Sequence, residues 1–148
     1  MSRYLVSLPE QFNFETRHRI TYGELNPGNH LAADKVITLA LDANYELFAA
    51  LGYSDPRDIE GGWLFMANSQ VDYISETGQG QELVIRISVS QPSEKSLDFT
   101  YSLRKPDKGK EVARVLARNV YFDLRAGKSA RVPQAFLDKL TAIGPAGN

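Results

Sequence analysis

Apolar residues along the chain fall into two periods. Between residues 34 and 52, Lys35, Thr38, Asp42 and Glu46 recur at helical spacing, while Val36, Ile37, Leu39, Ala40, Leu41, Ala43, Leu47, Phe48 and Leu51 fill most of the remaining circumference. A helix that apolar has to be wrapped on most sides. Asp34 stands where an N-cap accepts a first-turn amide, and Gly52 stands where helices terminate. Ala40, Ala43, Ala49 and Ala50 are small enough to admit a sheet at close range.

Elsewhere the period is two. Phe12, Phe14, Ile20 and Tyr22 alternate with polar residues, and His18 shares their parity, which predicts a core position. Gly61 and Gly62 allow a bend or a close backbone approach before a strand over residues 63–74. Leu83, Ile85, Ile87 and Val89 form a second alternation, Leu97, Phe99, Tyr101 and Leu103 a third, and residues 112–124 a long fourth. Turns are expected at 91–94, at Pro106 to Gly109 and at 125–128, with Pro133 opening a short helix over 133–143. Strand, long helix, then antiparallel meander defines an α+β domain in which a curved antiparallel sheet wraps one central helix. The 148 residues make one domain, with its core at about 12–143 and a frayed tail at 144–148. Open sheet edges point to pairing with a second copy.

Composition narrows the functions. Seventeen basic against eighteen acidic side chains leave a net charge of −1, so no basic field argues for nucleic acid or an anionic membrane. There is no cysteine, hence no disulfide, thiolate site or thiol nucleophile. His18 and His30 alone give no metal-ligand spacing, so no metal is expected. The first residues lack a long apolar run and nothing approaches a membrane span, which predicts a cytoplasmic protein.

Chemistry concentrates in the loop before the helix, where Glu24, Asn26, Pro27, Gly28, Asn29 and His30 fall within seven positions. Four stretches then occur in order: Tyr22-Gly-Glu-Leu-Asn-Pro-Gly-Asn-His-Leu31, Val71-Asp-Tyr73, Gly80-Gln-Glu-Leu83, and Val120-Tyr-Phe-Asp123 followed by Val132-Pro133. Together they resemble the hotdog-fold acyl-CoA thioesterases of the 4-hydroxybenzoyl-CoA thioesterase type, over roughly residues 12–140. The resemblance implies a hotdog fold and a homodimer with a continuous sheet, often a dimer of dimers. It places active sites at the subunit interface, where a helix N-terminus faces the acyl thioester.

In better-known members an Asp stands at the position that matches Asn26. An amide orients water but takes no proton, so a second group is needed. The distantly related plant acyl-carrier-protein thioesterases divide the work between an Asn and a His, which makes His30 the matching base. His30 as a structural donor, and Asn26 as a turn residue before Pro27, are the competing readings. Asp34 is a further catalytic candidate, ranked above Glu24, and a helix cap is its other role. The backbone amides of Leu31, Ala32 and Ala33 are expected to hold an oxyanion, and Gly28 to let the backbone pass close to substrate. Trp63, Phe65 and Tyr73 are candidate acyl walls or ordinary core.

Arg104 and Lys105, with Lys108 and Lys110 on one hairpin and Arg125, Lys128 and Arg131 on the next turn, are candidate cations for CoA phosphates or a solvated charged surface. CoA enters as part of the substrate, with no separate cofactor. The expected activity is hydrolysis of an acyl-CoA or acyl-carrier thioester. A non-catalytic acyl-CoA or small-ligand binding protein is the alternative. A hotdog hydratase or dehydratase ranks below both, because the loop supplies no convincing acid–base pair for that chemistry.

Overall fold

The structure is a computed structural model that describes residues 5–146. In chain order it contains β1 (Phe14–Arg19), a 3-10 turn (Tyr22–Glu24), α1 (Ala33–Ala50), β2 (Gly62–Tyr73), β3 (Glu82–Ser93), β4 (Ser96–Arg104), β5 (Glu111–Asp123), β6 (Lys128–Ser129) and α2 (Gln134–Ile143). All pairings are antiparallel, in the order β1-β3-β4-β5-β2, with β6 added to the end of β5.

Strand alternation decides what meets the helix. Leu83, Ile85 and Ile87 of β3, Leu97, Phe99, Tyr101 and Leu103 of β4, and Ala113, Val115, Ala117 and Tyr121 of β5 are buried. They form one core with Val36, Leu39, Ala40, Ala43, Leu47 and Phe48 of α1. Ala40 and Ala43 lie in that core as their size suggested, whereas Ala49 and Ala50 are exposed at the helix end. Phe136 of α2 closes the far end, its ring 6.2 Å from Phe48 and 6.1 Å from Tyr53.

Several boundaries move. Asp34 is not the helix cap: α1 starts at Ala33 with Ala32 in the extended cap position and no side chain capping it. Pro133 precedes α2 as its cap instead of opening the helix. β3 runs through to Ser93 with a register shift after Ser90, so its turn to β4 falls at Glu94 and Lys95. His18 is half-buried and not core; its Nε2 lies 2.8 and 3.0 Å from the two carboxylate oxygens of Glu24.

The domain also begins before residue 12. Val6 is buried, its amide donates to Asp72 at 2.5 Å, and Arg114 Nη1 donates to its carbonyl at 2.8 Å. At the other end the amide of Ala146 donates to the carbonyl of Phe12. The rest of the expected frayed tail, Gly147 and Asn148, lies outside the described residues.

Gly62 shows why β2 begins where it does. A Cβ there would collide with the carbonyl of Phe122 and the ring of Tyr121, so the two backbones approach this closely only at glycine. β2 is the sheet's long edge strand, and Trp63 and Phe65 remain 40% and 38% exposed on it. Among the described residues no helix is long and apolar enough to cross a membrane.

Candidate active site

The loop before α1 is built around one side chain. Asn26 Oδ1 accepts the amides of Gly28 at 3.0 Å and His30 at 3.1 Å, while the Asn26 amide donates to the His30 carbonyl at 2.8 Å. The Asn29 amide closes the turn on the Asn26 carbonyl at 3.0 Å. The left-handed backbone falls on Asn29, at φ 70°, and not on Gly28. Asparagine tolerates that region because its short polar side chain bonds locally. Gly28 earns its place by room instead, since a Cβ there would stand 3.3 Å from Asn26 Oδ1.

The loop then pins the start of the helix. The amides of Leu31 and Ala32 donate to the carbonyls of Thr77 at 2.7 Å and Glu24 at 2.9 Å. They are spent, so neither is the oxyanion donor the sequence suggested. With no side-chain cap, the amides of Ala33 and Asp34 keep no partner among the described residues. These are the orphan donors of a helix N-terminus, where the aligned peptide dipoles add partial positive charge.

Asn26, His30, Leu31 and Ala33 line one cleft of about 300 Å³ with Val36, Tyr73 and residues 74–77. Tyr73 reaches from the edge strand across the cleft, its hydroxyl donating to the Ala33 carbonyl at 3.1 Å. A carboxylate that sequence reasoning passed over stands opposite the loop: Glu76 Oε2 is 3.5 Å from His30 Nε2. An isolated bridge between His30 and Gly78 brings these segments together. The signal in the chain was a carboxylate in the polar stretch Ser75-Glu76-Thr77-Gly78 between two strands, and it named no partner.

The other candidates lie apart from this cleft. The Asp34 side chain is 79% exposed, with Lys35 Nζ at 4.0 Å. Glu24 serves the fold: besides His18, its carboxylate accepts the Thr21 amide at 2.9 Å. Burial pushes the Glu24 carboxyl up, but the hydrogen bonds from His18 and Thr21 outweigh it and hold the group below the usual carboxylate range.

Trp63 and Phe65 pair with Phe122 and Val120 on the sheet face turned away from α1, and the ring of Phe65 meets Phe122 edge-on. They border a second cavity between α1 and β2, not the cleft. Arg104 and Lys105 line a separate groove on the outer face of the sheet, with Phe12, Arg17, Arg86 and Lys108. Arg104 is partly occupied, donating to the Gly109 carbonyl at 2.9 Å and lying 3.6 Å from Glu111.

A helix start with unspent amides, beside a cleft at the sheet's edge that an amide and an imidazole also line, is an arrangement suited to polarising a carbonyl. The family model of the thioesterase-like superfamily matches residues 20–140, and the chain belongs to that superfamily. Its fold is the hotdog fold shared with solved thioesterases. Slr0204, a 1,4-dihydroxy-2-naphthoyl-CoA thioesterase from Synechocystis, is 15% identical with a TM-score of 0.78, covering 86% of this chain and 94% of that one. The hypothetical protein SAV2348 from Staphylococcus aureus, solved in complex with CoA, is 17% identical with a TM-score of 0.78, covering 93% and 87%. A variant of 4-hydroxybenzoyl-CoA thioesterase complexed with 4-hydroxybenzoyl-CoA is 16% identical with a TM-score of 0.76, covering 86% and 98%. No curated protein matches the chain by sequence.

Proposed function

We propose that this protein hydrolyses an acyl thioester, with CoA as the carrier, to a free acid and a thiol. The observation that carries the reading is the uncapped start of α1, whose Ala33 and Asp34 amides stand unspent beside the cleft that holds Asn26 and His30. Water adds to the thioester carbonyl, and His30 takes its proton with Glu76 orienting the imidazole. The carbonyl oxygen becomes an oxyanion facing the free amides. As the tetrahedral centre collapses, the C–S bond breaks and His30 returns the proton to the departing thiolate. Preorganised donors of this kind contribute about 3 kcal/mol each to such a transition state. Asn26 Nδ2, the half of the carboxamide not engaged by the loop, is left to hold the water.

The likeness to a CoA-bound relative supports CoA as the carrier, and the cations around Arg104 and Lys105 are the groups for its phosphates. The open edge of β2, with Trp63 and Phe65 exposed along it, supports a homodimer joined strand to strand, each copy roofing the other's cleft.

A second reading has an observation of its own. Asn26 supplies no proton acceptor and its oxygen is already spent on two amides, which suits a protein that binds acyl thioesters without cleaving them. Thiol release from a panel of acyl-CoAs, measured on the wild type, His30→Ala and Glu76→Gln, decides between the two. Turnover that falls about a hundredfold in His30→Ala supports hydrolysis. Saturable binding with no thiol released by the wild type supports the binding protein.

A further inference from the structure

The second cavity, about 290 Å³ between α1 and β2, is apolar apart from a few groups. Two of these are anomalous. Asn44 lies on the buried face of α1 and Asn119 on the inner face of β5, and each is only 6% exposed. Every other inward position of β5 from Ala113 to Tyr121 is alanine, valine or tyrosine. Both carboxamides line the cavity.

Each is half satisfied. Asn44 Oδ1 accepts from the Tyr101 hydroxyl at 2.8 Å, and Asn119 Nδ2 donates to the Ala117 carbonyl at 3.3 Å. Asn44 Nδ2 and Asn119 Oδ1 have no partner among the described residues, yet neither is sealed from solvent as the Thr77 hydroxyl is. Of the other polar groups at the cavity, Arg57 is engaged by Asp55 and Tyr45 is more than half exposed. The free donor and acceptor of the two asparagines are therefore the buried polar atoms offered to whatever fills a mainly apolar space. An alkyl chain there would strip both of water and return nothing.

The cavity lies on the line of the cleft. Ala33 and Val36 line the cleft, Asn44 and Phe48 line the cavity, and Ala40 falls between them at helical spacing. Asn44 lies about 16 Å beyond Ala33 at 1.5 Å per residue. β2 flanks the whole path, from Tyr73 at the cleft to Met66, which pairs with Asn119, at the cavity. An acyl chain that ran along α1 beside β2 from a carbonyl at the helix start would bring its far end to the two carboxamides.

We propose that the cavity between α1 and β2 is a subsite for the distal end of the acyl group, and that Asn44 and Asn119 select chains bearing a hydroxyl or carbonyl there. A hydroxyl accepts from Asn44 and donates to Asn119, completing both carboxamides. The proposal rests on the thioester reading for its route but not for its chemistry.

The test compares acyl-CoAs of equal length, plain or hydroxylated near the end, across a series of lengths, on the wild type and Asn119→Leu. The wild type is expected to favour the hydroxylated ester about tenfold or more in kcat/KM at one length. Asn119→Leu is expected to bring the ratio to about one by gaining on the plain ester. Asn44→Leu combined with Tyr101→Phe does the same without leaving a buried partner orphaned. A wild-type ratio near one at every length, or a ratio unchanged in a folded Asn119→Leu, overturns the proposal. If no ester is cleaved, the hydrolase reading fails and the same comparison is made by calorimetric titration of the two free acids. Preferential binding of the hydroxylated acid, lost in Asn119→Leu, then supports the subsite, whereas equal binding or none overturns it.

Discussion

Asn26 and His30 hold each other twice: the Asn26 amide donates to the His30 carbonyl at 2.8 Å, and the His30 amide donates to Asn26 Oδ1 at 3.1 Å. Asn26 is thus the clasp of the loop as well as a residue of the cleft. Asn26→Asp retains an acceptor for both amides and puts a second oxygen where Nδ2 was. Hydrolysis is expected to rise about tenfold or more, because a carboxylate accepts the proton that an amide does not. Asn26→Ala loses the clasp and is expected to lower stability by about 1 kcal/mol. Thiol release and thermal midpoint separate the two effects, and an inert, normally folded Asn26→Asp contradicts the assignment of the cleft.

Glu24 predicts how stability depends on pH. Its folded pKa lies below the ordinary value because hydrogen bonds from His18 and Thr21 outweigh burial. A depressed carboxyl contributes stability that is present above the unfolded value of about 4.3 and is lost as pH falls through the folded one. Glu24→Gln is therefore expected to flatten the fall in thermal midpoint below about pH 4.5. An unchanged acid limb would show that the His18–Glu24 contact contributes nothing.

Tyr101 is fully buried and its hydroxyl bonds Asn44 alone among the described residues, and burial pushes its phenol well above the usual value. Tyr101→Phe leaves Asn44 Oδ1 unsatisfied, at a cost of about 1–3 kcal/mol. Denaturant unfolding should show that loss, and Tyr101→Phe with Asn44→Leu should recover part of it.

Gly62→Ala is expected to destabilise by about 1–3 kcal/mol, because the new methyl meets the Phe122 carbonyl and the Tyr121 ring at the start of β2. Chemical denaturation measures it. A neutral result would mean that β2 and β5 separate more easily there than their pairing indicates.

Much of this was legible in the chain. The helix declared itself by Lys35, Thr38, Asp42 and Glu46 at helical spacing, and β3 and β4 by alternation, because both periods are local consequences of backbone geometry. The loop from Glu24 to His30 was legible as the chemical centre for the same reason: its turn is made by its own residues, Asn26 above all. Asp34, by contrast, matched a cap by type. The helix starts one residue before it because the amides of Leu31 and Ala32 find carbonyls at Thr77 and Glu24, the first of them on a strand connection far along the chain.

Partners distant in sequence were decided by tertiary structure alone. Glu76 meets His30 only because the segment after β2 folds back to bridge the loop. Trp63 and Phe65 leave the helix face because β2 changes register between Met66 and Asn68, and one inserted residue reverses the facing of a strand. Asn44 and Asn119 belong to elements far apart in the chain, and packing α1 against the sheet puts both on one cavity. The sequence by itself determined which elements form and, for α1, β3 and β4, which faces are buried, since these follow from spacing along one backbone. Which side chains share the cleft depended on sheet order and register, which pairwise contacts between distant segments set.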